Sequence, residues 1–321
     1  MPAGTLSLLD NIRLSNGAQG LRNYFHEVLR CDQQKAISLI NDPCLRFGTL
    51  YTLKSEVSGK DVRSFLEPSY ATALEIADRL SGKMSRRLEK EMRDAEGSTA
   101  PLLEWMFRTG SYENEPDSGY ELLMDRIAGL LVKSYNNKSI LSELAGLIFS
   151  RNRRGALIHE LVWAFFEARC IESLAFVAYR LNSPDIRDVR LAEKLLGFIP
   201  EMKDITYDKA MFWLSENSPF LYYTGESLHF DSRPQHYRVS LPAKYLCTPV
   251  SPDTGKPAEP FREAEQELLS RFNGLAEPLQ QQLADFSWQL YRSDNYRWSS
   301  WISLPPEDQA VWLSYMTGGL A

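Results

Sequence analysis

Cysteine is scarce in this chain: Cys31, Cys44, Cys170 and Cys247 are the four among 321 residues. None belongs to a C-x-x-C pair, which argues against a zinc ribbon. Four scattered thiols are also too few for a disulfide framework, so they read as free thiols in a reducing compartment. Long apolar runs are missing as well. A membrane-spanning helix needs about 20 predominantly apolar residues. The most apolar stretch, 157–181, is interrupted by His159, Glu160, Glu167, Arg169, Glu172 and Arg180. The opening residues 1–13 have no basic start and carry Asp10 where a signal's apolar core would lie. The expectation is a soluble, cytoplasmic protein with no membrane contact.

Common catalytic signatures are absent too. Gly59-Lys60, Gly82-Lys83 and Gly255-Lys256 lack the upstream glycine and the following Ser or Thr of a P-loop. No G-x-G-x-x-G occurs. His159-Glu160 opens like a zinc-protease helix, but Trp163 stands where the second imidazole would be. Ser227 is followed by His229 where a nucleophile elbow requires glycine. No cofactor is implied.

What is present describes an ordinary globular chain, 44% hydrophobic and 12% aromatic, with 36 basic against 42 acidic residues. Residues 206–321 hold 9 basic and 14 acidic side chains, so most of the negative charge sits there. Neither part is the basic body of a general nucleic-acid binder. The length suits about two domains.

The first two-thirds reads as helix after helix. Leu21, Phe25, Val28, Leu29, Ala36, Ile37 and Ile40 keep a 3.6-residue period over 21–40. A long amphipathic helix is expected over 69–95. A shorter one opens at Pro101, and 110–119 reads as a polar loop. Helices follow over 120–133, 139–150 and 155–181, the last with a break near Cys170. Ser183 is the expected cap of the next helix, with Pro184 at its first position. No repeat signature recurs.

The texture changes after Met211. The segments 221–224 and 237–241 read as short strands, and Pro249, Pro252, Pro257 and Pro260 mark a stiff linker. Helices are expected over 261–272, 278–292 and from Pro306. The fold class is therefore mainly α: an irregular, solenoid-like helical body over 1–205, a mixed segment with a small β-hairpin over 206–260, and an aromatic-rich helical part over 261–321.

Three sets of residues are candidates for function. Trp288, Tyr291, Trp298 and Trp301 form an aromatic set of the kind that dominates protein interfaces. The acidic surroundings favour a basic protein partner. This is the preferred reading: a non-catalytic scaffold or adaptor working through protein–protein contacts in a multi-protein complex. The first alternative is a nucleic-acid-associated component using Lys83, Arg86, Lys90 and Arg93 on one helix face, extended by Arg153 and Arg154. The second is a metal-dependent hydrolase. If 231–234 form a four-residue turn, His229 stands opposite His236, close enough to share a metal, with Asp231 or, through a fold-back, Cys247 as a third ligand.

Overall fold

The computed structural model describes residues 6–82, 86–111, 118–203 and 205–318, without the side chains at 60, 61, 86–89, 118 and 316–318. The fold is mainly α, with one two-stranded antiparallel sheet among the described residues. No helix among them is long and apolar enough to cross a membrane. The chain forms two compact units, Met1–Ala168 and Arg169–Ala321.

The first unit begins with α1 (Leu8–Cys31), α2 (Gln33–Ile40), α3 (Phe47–Thr52) and the single turns α4 (Lys54–Val57) and α5 (Lys60–Arg63). It continues through α6 (Pro68–Ser81), α7 (Arg86–Asp94), α8 (Glu96–Gly110) and α9 (Ser118–Gly129). A π-helical turn (Leu130–Ser134), α10 (Leu141–Arg154) and α11 (His159–Glu167) complete it.

Local chemistry moves several boundaries from where periodicity places them. α1 starts at Leu8 because Ser7 and Asp10 form a reciprocal capping box. The carboxylate of Asp10 is fully buried, and it also accepts from the Arg46 amide at 3.3 Å and from the Thr49 hydroxyl. One carboxylate thus fixes the starts of α1 and α3 together. Asp32 ends α1 and caps α2, accepting from the Lys35 amide at 2.9 Å, so the periodic stretch 21–40 spans two helices. Gly82 is extended (φ −74°, ψ −170°), which divides the helix expected over 69–95 into α6 and α7. Pro101 lies inside α8 rather than at its start. The loop expected over 110–119 falls mostly at 112–117, outside the described residues.

Arg151, on the last turn of α10, is only 2% exposed. Its Nη1 donates to Asp125 Oδ1 at 2.5 Å, and its Nη2 donates to the Glu121 carbonyl at 2.9 Å. Both acceptors belong to α9. Gly155 then takes the left-handed conformation (φ 71°) and ends α10.

The second unit opens with α12 (Leu174–Ala178), α13 (Ile186–Leu196) and α14 (Tyr207–Asn217). The break expected near Cys170 is present, and Arg169 there has φ 48°. Asp185, rather than Ser183, caps α13 through the Arg187 amide at 2.9 Å, while the Ser183 hydroxyl accepts from the Asp185 amide. β1 (Leu221–Tyr223) and β2 (Tyr237–Val239) pair antiparallel, with Leu221 opposite Val239 and Tyr223 opposite Tyr237. After α15 (Leu241–Tyr245), the proline-rich stretch folds back onto the hairpin. The Tyr223 amide donates to the Pro252 carbonyl at 2.7 Å, and the Val250 amide donates to the Pro219 carbonyl at 2.9 Å. Gly255 (φ 66°) lies under Tyr222, where a Cβ would come within 2.8 Å of the ring. The remaining helices are α16 (Glu263–Asn273), α17 (Glu277–Ser293), α18 (Asn295–Ile302) and α19 (Pro306–Gly318).

A buried charge also ties this unit together. Lys244 of α15 donates to Asn217 of α14 at 2.6 Å and to the carboxylate of Asp285 on α17. In the first unit, removing the counter-ion of Arg151 tests how much such a pair contributes. Asp125→Ala leaves a buried guanidinium without its anion and is expected to cost about 3–5 kcal/mol. Asp125→Asn keeps an acceptor oxygen and should cost less. Urea unfolding followed by far-UV circular dichroism measures both; a wild-type midpoint for Asp125→Ala would show the pair to be dispensable.

Candidate functional site

The helices α17, α18 and α19 enclose a groove of about 450 Å³ lined by Leu290, Tyr296, Arg297, Ser300, Trp301, Leu304 and Trp312. Asp294 builds its first corner. It ends α17, with its amide donating to the Leu290 carbonyl at 2.7 Å, and caps α18 by accepting from the Arg297 amide at 3.0 Å. Gln309 builds the second corner. Its buried amide group donates to the Leu304 carbonyl at 2.8 Å, and its oxygen accepts from the Tyr245 hydroxyl at 2.7 Å. That hydroxyl titrates well above the usual tyrosine range because it is buried.

Aromatic residues form the floor. Trp301 is only 3% exposed and meets Tyr245 (6.2 Å between ring centroids) and Phe286 (5.3 Å) edge to face. Phe286 meets Trp312 at 5.5 Å. On the walls, Tyr296 is 85% exposed and Leu304 and Trp312 are partly exposed. Arg297, the one charged residue in the lining, is held by Asp294, with Nε to Oδ2 at 3.2 Å.

The structure distributes the expected aromatic set differently from an outer patch. Trp301 packs into the core of the unit. Trp288 is half-buried, meets the edge of Phe220 at 5.0 Å and stacks on Tyr291. Tyr291 meets Trp298 at 5.0 Å, and the Trp298 indole N–H donates to Ser287 at 2.8 Å. These four rings are therefore largely spent on internal packing. In the groove lining, the more exposed rings are Tyr296 and Trp312, neither of which belongs to the expected set. The signal for Tyr296 was available in Asp294, whose capping type marks a new helix start at 295.

The basic set is divided as well. Lys83 lies outside the described residues, as does the side chain of Arg86. Lys90 and Arg93 are exposed on α7, and Arg153 and Arg154 occupy the last turn of α10, with Arg154 3.8 Å from Glu121. Arg86, Lys90 and Arg93 belong to α7, and Arg153 and Arg154 to α10.

The hairpin register removes the geometric basis for the histidine pair. The Thr224 amide donates to the His236 carbonyl at 3.0 Å, so His236 pairs near Thr224 and not with His229. The loop between the strands is longer than a four-residue turn, because the side chains of Thr224 and Glu226 bond back to the Gln235 backbone. His236 is 1% exposed, stacked on Tyr223 and edge-on to Phe198, with Nδ1 donating to the Glu226 carbonyl at 3.1 Å. His229 and Asp231 are exposed.

Burial lowers the His236 pKa from 6.5 to about 4. The unfolded chain therefore takes up a proton at higher pH than the folded one. The contribution of this residue to stability is complete above about pH 6.5 and is lost as the pH falls toward 4. Thermal melts between pH 4 and pH 7 should show this slope in the wild type and a shallower one in His236→Gln. Parallel slopes would contradict the assignment.

No family model, curated protein or solved structure matches the chain.

Proposed function

We propose that the chain is a non-catalytic scaffold or adaptor, and that the groove between α17, α18 and α19 captures a basic segment of a protein partner. The observation that carries this reading is the combination of an aromatic groove with a matched internal cation. Tyr and Trp are the side chains on which binding energy concentrates, and here they line a recess whose floor is fixed. Arg297 is paired with Asp294 on an exposed surface, which weakens its pull on an acidic ligand. Glu307, paired with Arg271 at 2.8 Å, and Asp308 begin α19, and the region 206–321 is acidic. Ring faces attract cations, and the surrounding field does the same. A lysine- or arginine-rich segment with apolar anchors satisfies both. The four cysteines are free thiols, which suits work in the cytoplasm as part of a multi-protein complex.

The test is a titration of the full chain, read by tryptophan fluorescence. The probe is a synthetic amphipathic peptide of alternating Leu and Lys; its Glu-for-Lys counterpart is the control. The basic peptide should saturate at low salt and the acidic one should not. Tyr296→Ala with Trp312→Ala should weaken the basic peptide by tenfold or more, a loss of about 1.4 kcal/mol. Tyr296→Ala alone should leave the melting temperature unchanged, because that ring is 85% exposed, whereas Trp312→Ala, which also loses the Phe286 contact, should lower it. Equal binding of the two peptides, or binding indifferent to both substitutions, would sink this reading.

A further inference from the structure

The first unit holds a groove of its own, where the end of α2, the start of α6 and α8 meet. Its volume is about 850 Å³, within the range of about 300–1,000 Å³ common to ligand sites. Its base is aromatic. Tyr70 stacks on Trp105, with 5.4 Å between ring centroids and 19° between planes, and Phe47 meets Trp105 edge to face at 5.9 Å. Pro43, Pro68 and Pro101 add apolar walls. Asn41 holds the entry to α6 in place. Its Nδ2 donates to the Phe65 carbonyl at 2.7 Å, and its oxygen accepts from the Glu67 amide at 2.8 Å.

Most polar groups of the lining are already spent. The Tyr70 hydroxyl donates to the Asp42 carbonyl at 2.7 Å, Thr72 to the Pro68 carbonyl at 2.7 Å and Ser98 to the Ala95 carbonyl at 3.1 Å. What the groove keeps for a ligand is the exposed Ser69 hydroxyl, the Trp105 indole N–H and the Glu67 carboxylate. The indole N–H bonds to no described residue and is not sealed from solvent. Glu67 is exposed and makes no ion pair among the described residues. It is also the one charged residue in the described lining, so no cation there offsets it.

That inventory fits few ligands. A sugar, rich in hydroxyls, would leave most of its donors unpaired. An added β-strand needs a free sheet edge, and helices form this groove. A polyproline II segment matches on each count. Its rings are apolar, its prolines carry no N–H to satisfy, and its carbonyls are free to accept. Aromatic-lined grooves are the surfaces on which such segments dock. The unpaired Glu67 adds a charge requirement, which a basic residue beside the prolines meets. We infer that this groove receives a proline-rich segment of a protein partner, its rings against Trp105 and Pro101, one carbonyl on the Trp105 indole N–H, and an adjoining basic side chain at Glu67. The inference is independent of the groove between α17, α18 and α19, which belongs to the other unit.

Fluorescence anisotropy of the labelled synthetic peptide Arg-Pro-Pro-Leu-Pro-Pro-Leu-Pro-Pro, titrated with the full chain, tests the site. One control replaces its arginine by glutamate, and another replaces its prolines by alanine. The parent peptide should bind saturably at one site, the glutamate peptide about tenfold more weakly, and the alanine peptide not measurably. Trp105→Phe keeps a ring and removes the N–H, and should weaken the parent peptide about fivefold, the loss expected for one hydrogen bond. Glu67→Gln should erase the preference for arginine over glutamate. The Glu67 carboxylate makes no bond within the fold, so this variant is expected to fold even if Trp105→Phe does not. Tyr296→Ala should leave binding unchanged, because that ring lines the other groove. The inference is overturned by no saturable binding, by equal or tighter binding of the alanine peptide, by a folded Trp105→Phe that binds like the wild type, by an arginine preference that survives Glu67→Gln, or by loss of binding in Tyr296→Ala.

Discussion

A guanidinium cannot be buried alone, and the first unit is organised around one that is buried. Arg151 reaches from the end of α10 to a carboxylate and a carbonyl of α9. The pair fixes how α10 lies on α9, and the left-handed Gly155 then turns the chain toward α11. The space between α9 and α11 follows from that placement. The same Asp125 that satisfies Arg151 also lines the recess between those helices, together with Arg126, Lys133 and Glu160.

The second unit solves the same problem with lysine. Lys244 joins α14, α15 and α17, and Ser287 of α17 accepts the indole N–H of Trp298 while donating to the Tyr245 carbonyl at 2.6 Å. Burial raises the neighbouring Cys247 thiol to about 11, which keeps it protonated and unreactive at neutral pH. These groups are structural. They hold the aromatic layer in place and leave the chemistry of the surface to Tyr296, Trp312 and their neighbours.

The legible parts of the fold were those written in periodicity and in strong local signals. The paired strands at 221–223 and 237–239 and the proline start of α19 were plain from composition and punctuation. What escaped was set by single capping residues or by tertiary packing. Asp32 splits one periodic run, Gly82 another, and neither changes the apolar stripe that a period-based reading follows. The hairpin register was unreadable because the loop closes through side-chain bonds of Thr224 and Glu226, not through a standard turn. The aromatic set was legible as an aromatic-rich region, but not residue by residue. Composition says how many rings a segment has, while the helix faces decide which of them meet solvent.

That division leaves the groove with a packed floor and a more open rim. α18 sends Trp298 and Trp301 inward, three residues apart, and carries Tyr296 and Ser300 on the groove side, four residues apart. Its inward rings are fixed by Tyr245, Phe286 and Ser287, so the floor of the groove is held in place by packing. Association is opposed mainly by lost motion, and a surface whose aromatic base is already immobile loses less of it. In the proposed scaffold reading, the tryptophans packed inward supply rigidity and the more open rings at the rim supply contact.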